Sequence, residues 1–100
     1  GEQLNSIRLT ATLLEKEPLR FTPAGIAVFE GKFRHDGQVY EAGAMRRVEF
    51  GFPAVAFADA AVRLNQVNPP QQLAIVGFLA PKSMKTQKLV VHITEFTIRS

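Results

Sequence analysis

Cysteine and tryptophan are both missing from this sequence, and histidine occurs only twice in 100 residues. Without cysteine there is no disulfide, no thiolate nucleophile and no cysteine-ligated zinc site. That pattern fits a reducing compartment, and a cytoplasmic protein is the expectation. Long apolar runs are missing too. None approaches the roughly 20 residues that span a bilayer, so no membrane partner is expected. The residues of a catalytic constellation are also lacking. His35 and His92 fall on different expected strands, Ser6, Ser83 and Ser100 lie in no nucleophile motif, and there is no glycine-rich phosphate loop. The expectation is a protein that is not an enzyme and uses neither a metal nor another cofactor.

What is present is an ordinary globular composition, 46% hydrophobic and 21% charged, with a net charge of +3. This is enough apolar surface to offset chain entropy, and the length suits one domain over residues 1–100. Residues 4–14 alternate with period two. Ile7, Leu9, Ala11 and Leu13 fall on one side, and Arg8, Thr10 and Thr12 on the other, as in a half-buried strand. Phe21 to Gly25 read as a turn. A second strand follows over 26–35, with Ala27, Phe29, Gly31, Phe33 and His35 on its inner face and Val28, Glu30, Lys32 and Arg34 on its outer face. Asp36-Gly37 predicts a hairpin turn, and 38–44 a loop or ragged edge. Met45 to Phe52 predict a third strand, with Val48, Phe50 and Phe52 inward and Arg47 and Glu49 opposite. Pro53 suits the first position of a helix, and Ala54 to Leu64 place Phe57, Ala61 and Leu64 at helical spacing. Residues 72–80 are almost all apolar. They read as a fourth strand that is buried on both faces or lies in a subunit contact. Leu89 to Arg99 predict a fifth. The order β-β-β-α-β-β predicts an all-β fold: a five-stranded OB-fold Greek-key barrel with one short helix between strands 3 and 4.

The segment Pro81 to Lys88 places Lys82, Lys85 and Lys88 at spacing three with no acid among them. Three like charges on one projecting loop repel, and an anion that draws them together relieves that repulsion. Phosphate is the natural candidate, since each neutralised phosphate releases counterions. Lys32, Arg34 and Arg47 share the outer face of the second and third strands, and Arg46 stands at the rim. In OB folds that face and the neighbouring loops take oligonucleotides. The expected nucleic-acid-binding set is therefore Lys82, Lys85, Lys88, Arg46, Arg47, Lys32 and Arg34. Aromatic platforms for bases are scarce. Parity turns Phe29, Phe33, Phe50 and Phe52 inward, which leaves Tyr40 as the best candidate for an exposed ring. The binding expected is electrostatic, salt-sensitive and weakly sequence-selective.

Three runs carry a family resemblance. Pro18-Leu19-Arg20-Phe21-Thr22-Pro23-Ala24-Gly25-Ile26 resembles the strand 1–2 connection of the bacterial primosomal replication protein N (PriB) family. Gly77-Phe78-Leu79-Ala80 with the Lys82–Lys88 loop resembles its strand 4 and following loop. Arg46-Arg47-Val48-Glu49-Phe50-Gly51-Phe52-Pro53 is similar to its third strand and to that of bacterial single-stranded DNA-binding proteins. The resemblance implies a homodimeric OB-fold accessory protein of the replication-restart primosome. Such a protein binds single-stranded DNA and assists the restart helicase PriA and other primosome proteins, with no cofactor. By position, Lys82, Lys85 and Lys88 match the family's basic loop and Arg46 a basic strand position. Glu49 departs from the family by standing where an aromatic can occur. Two other readings follow from the residues: a helicase-contacting interaction module with little nucleic-acid affinity of its own, and a small OB-type RNA-binding protein.

Overall fold

The computed structural model describes residues 3–100. Its elements are β1 (Ile7–Lys16), β2 (Arg20–Phe21), β3 (Ala27–Glu41), β4 (Ala44–Phe57), α1 (Asp59–Asn65), β5 (Gln71–Pro81) and β6 (Leu89–Ile98). The strands run in the order β1-β5-β6-β4-β3-β2, and β1 also pairs with β3. That second pairing closes the sheet. A register shift between Leu13 and Glu15 lets β1 leave β5 and join β3, the usual work of a bulge at a barrel corner. A parallel contact, Ala54 with Val91 and Val55 with His92, seals β4 to β6. With β2 as a two-residue appendage on β3, the remaining strands form the five-stranded Greek-key barrel of an OB fold.

Alternation along the strands builds the core. Leu13, Phe29, Phe33, Leu73 and Ile75 are fully buried, and Phe33 packs edge-on to Phe29 and stacks on Phe52 with centroids 5.6 Å apart. The helix covers one barrel end with Ala61 and Leu64, as their spacing predicts. Lys16 ties it down: its Nζ donates to the carbonyls of Asn65 and Val67 where the helix ends. Such charge-assisted bonds answer the orphan carbonyls of a helix terminus. Gly77 allows the closest backbone approach. A Cβ there would stand 1.9 Å from the His92 carbonyl oxygen, at the register shift between β5 and β6.

Four local expectations are corrected. The hairpin does not turn at Asp36-Gly37. Those residues stay in the ladder opposite Glu49 and Val48, and the chain reverses at Ala42-Gly43, with φ of 54° and 83°. A two-residue turn with both φ positive matches the twist of the strands it joins. Residues 38–41 are therefore strand, not loop. Pro53 starts no helix. It pairs with Lys32 in β4 before β6 joins that strand at Ala54, an edge position that tolerates a missing N–H. Ala54, Val55 and Ala56 are buried sheet residues, and Phe57 belongs to β4 rather than to the helix. Phe50 does not enter the core. It has inward parity but lies beyond the barrel's end, 41% exposed, beside the His35 ring at 5.2 Å. Finally, β5 is buried on one face only. Leu73, Ile75 and Gly77 are inside, and Ala74, Val76, Phe78 and Ala80 are half-buried outside.

Candidate nucleic-acid interface

Two surfaces carry the basic residues. The first is the β5–β6 loop. Its lysines are exposed, as is Met84 at its tip, and its backbone is braced from within. The Lys85 N–H donates to Ser83 Oγ at 3.3 Å and the Lys88 N–H to Thr86 Oγ1 at 3.1 Å, the local bonding that makes Ser and Thr turn residues. Lys82 is anchored at the root of the loop, its Nζ 2.7 Å from Glu30 Oε1. Glu30 also meets Arg20 at 3.4 Å. The hydrogen bond from Lys82 is the main reason its carboxyl is held below the ordinary range, with the Lys82 and Arg20 charges adding to it. Lys82 and Lys32 thereby line one cleft of about 150 Å³, together with Glu15, Lys16, Glu17 and Val90. Among the described residues, Lys85 and Lys88 have no acidic partner.

The second surface is the outer face of the β3–β4 ribbon. Strand alternation puts Lys32, Arg34, Asp36, Gln38 and Tyr40 on one side of β3, opposite Pro53, Gly51, Glu49, Arg47 and Met45 of β4. Nearly every charge here is answered. Arg34 bonds Glu49. Arg47 grips Asp36 through two parallel bonds at 3.1 and 2.9 Å and meets Glu49 at 3.4 Å. Lys32 meets Glu15 at 3.8 Å. The Arg47 fork holds the Asp36 carboxyl below its usual value, and Asp36 raises Arg47 in return.

Of the residues expected from the sequence, Lys82 and Lys32 meet at one cleft, and Arg34 and Arg47 meet around Glu49. Lys85 and Lys88 stand on the open loop. Arg46 is apart from all of them. It lies opposite Val39, on the other face of the ribbon from Arg47, and pairs with Glu41. Two participants escape sequence reasoning. Glu30, the anchor of Lys82, was visible only as an outward acid two positions before Lys32, since no spacing rule links residues 30 and 82. Met45, beside Tyr40, is hidden by placing the hairpin turn at residues 36–37.

Comparison with known proteins gives this arrangement its relatives. Residues 5–95 match a family described as another single-strand binding protein family. The replication restart protein PriB of Nitrosomonas europaea is 33% identical over 94 residues, which is 94% of this chain and 87% of that protein. PriB of Bordetella pertussis is 36% identical over 92% of this chain and 86% of its own length. The solved PriB structure from Ralstonia solanacearum superposes with a TM-score of 0.89 at 37% identity, covering 98% of this chain and all of that one. The single-stranded DNA-binding protein of Thermus aquaticus matches in fold, with a TM-score of 0.76 at 19% identity over 97% of this chain and 50% of its own.

Proposed function

We propose, because this chain belongs to the single-strand binding protein family and within it to the replication restart proteins PriB, that it binds single-stranded DNA as an accessory of the replication-restart primosome. In this reading a single OB-fold domain over residues 1–100 binds without catalysing any reaction and without a cofactor, in the cytoplasm. The Lys82–Lys88 loop and the outer face of β3 and β4 carry the strand, and the protein assists a restart helicase of the PriA kind. A homodimer belongs to the reading, and the half-buried apolar row Ala74, Val76, Phe78 and Ala80 on the outside of β5 supports it. The observation that carries DNA binding is the loop: Lys85 and Lys88 project with no acid beside them among the described residues, and they are free to take phosphates.

Fluorescence anisotropy of a labelled single-stranded oligonucleotide, titrated at low and moderate salt, tests it. Binding that weakens steeply with salt is expected. A second reading, a helicase-contacting module with little affinity for DNA, draws on the acids that already occupy Arg34 and Arg47. No binding even at low salt favours that reading and overturns the first.

A further inference from the structure

Strand β6 is paired along its whole length on one side and for two residues on the other. β5 accompanies it from Leu89 to Ile98, whereas β4 meets it at Val91 and His92 and then departs. The register with β5 shifts at Thr94, and a bulge there bends the strand. Among the described residues, no backbone group bonds to the edge that β5 leaves free from Ile93 to Ile98. A row of unpaired N–H and C=O groups is a template for another strand, and natural sheets often blunt such an edge with lysine or proline. This edge carries neither. From Leu89 to Ile98 the only Asp, Glu, Lys or Arg is Glu95, and β-branched residues predominate.

Two hollows open between this edge and α1. One, of about 460 Å³, has Phe57, Ala60, Phe78 and Ile93 in its wall. The other, of about 450 Å³, has Val67, Phe96, Thr97 and Ile98. Phe57 and Ile98 are exposed there. Ile93 and Thr97 are four residues apart, about 13 Å of strand, and side chains at that spacing on an added strand point the same way. Arg63 lines both hollows and is the only charged side chain of the second. Its guanidinium is poised 4.8 Å from the centre of the Phe96 ring, and no carboxylate pairs with it among the described residues. Asp59, one helical turn earlier in the wall of the first hollow, makes no ion pair with it. The edge therefore offers apolar space at two points and an unanswered cation between them.

We propose that the free edge of β6 takes an extended segment of a partner protein as an added strand. In that segment an acidic residue stands midway between two large apolar residues four positions apart. The backbone ladder supplies affinity, and the pockets beside it select the side chains. The hollows take the apolar pair, and Arg63 meets the acid in a charge-assisted bond. Leu89 and Ile98 are nine residues apart, about 30 Å, so this end of β6 is remote from the lysine loop. A DNA strand held by Lys85 and Lys88 and a protein segment held by β6 can be bound together.

The probe is the acetylated, amidated peptide Ser-Thr-Phe-Thr-Asp-Thr-Leu-Thr-Ser, titrated into nitrogen-labelled protein and followed by amide NMR. Shifts are expected to gather on Ile93 to Ile98 and on α1, and exchange of the edge amides to slow. Two further peptides, N-methylated on alternate sets of backbone nitrogens, are expected to differ. One set faces β6 and its loss abolishes binding; the other faces water and its loss does not. Arg63→Glu should weaken the peptide by about 2- to 5-fold, and a peptide with Lys in place of its Asp should recover that loss. Arg63→Gln, which keeps a stem over Phe96, should weaken the original peptide without favouring the Lys one. Failure to bind at millimolar peptide, shifts confined to other surfaces, or equal binding by both N-methylated peptides overturns the proposal. Edge amides protected in the protein alone, in proportion to its concentration, assign the edge to a second copy and overturn it as well. Displacement of the peptide by oligo(dT) places it on the DNA-binding surface, with the same consequence.

Discussion

The β5–β6 loop and the end of the β3–β4 ribbon both project from the same barrel, yet they are built on opposite electrostatic plans. The loop gathers Lys82, Lys85 and Lys88, and only Lys82 is matched by an acid, at its root. The ribbon alternates cations with acids so closely that Arg34, Arg46 and Arg47 all have carboxylate partners. Sequence position within a hairpin explains the difference. Loop side chains radiate, whereas paired strands bring residues directly opposite within about 5 Å. An Arg47 two pairs from Asp36 on one face therefore finds it, while a lysine three residues along an open loop finds nothing. Counting positive charges overstates the unpaired charge of the ribbon severely and that of the loop only by Lys82.

One scaffold holds both regions, and the largest expected effect comes from breaking it. Gly77→Ala drives a methyl into the His92 carbonyl. Backbone cannot yield there as a flexible side chain can, so a loss of about 3 kcal/mol or more is expected, seen as a lowered midpoint in urea unfolding. Next comes the loop itself. Lys82, Lys85 and Lys88 all changed to Ala should reduce the logarithmic salt slope of single-strand binding by about 2 units, for about three phosphates released. The unfolding midpoint should fall only by the small part that Lys82 contributes through Glu30, since the exposed Lys85 and Lys88 add little to stability. Unchanged affinity in that triple variant removes the loop as the DNA site.

The ribbon should respond in the other direction. Glu49→Gln frees Arg34 and one contact of Arg47. Binding should tighten a few-fold and the salt slope steepen by about 0.7, one more phosphate's worth. A Glu49→Gln variant that binds less tightly contradicts the idea that acids hold the ribbon's arginines back. The smallest effect concerns the root of the loop. Glu30 has a depressed folded-state value, so its contribution to stability is fully present above its ordinary pKa of 4.5. It is lost as the pH falls through the lower folded value. Denaturant melts of the wild type and Glu30→Gln should differ at neutral pH and converge toward strong acid; a gap that widens on acidification refutes the Lys82 clamp.

Much of this was readable from the residues. Ile7, Leu9, Ala11 and Leu13 alternate because one face of β1 is wet, and Ala61 and Leu64 keep helical spacing because one side of α1 covers the barrel. The lysine loop was equally plain, whereas Tyr40 was only the best candidate for an exposed ring, in a stretch read as a loop that is strand. Other features were not, for definite reasons. Asp36-Gly37 and Ala42-Gly43 both offer a glycine for a turn, and the first is the stronger local signal. The ladder prefers the second because it keeps Phe33 opposite Phe52 and Asp36 on the same face as Arg47. Pro53 suits a helix start as well as a strand edge, and only the late arrival of β6 at Ala54 decides between them.

By itself, then, the sequence determined which residues alternate and where positive charge gathers along the chain, because these depend on side-chain period and near neighbours. Only the tertiary structure decided how far the ribbon extends, that Phe50 lies past the core, and which carboxylate each arginine meets. Those depend on register between strands and on barrel closure, where residues as distant as Glu30 and Lys82 come within 2.7 Å.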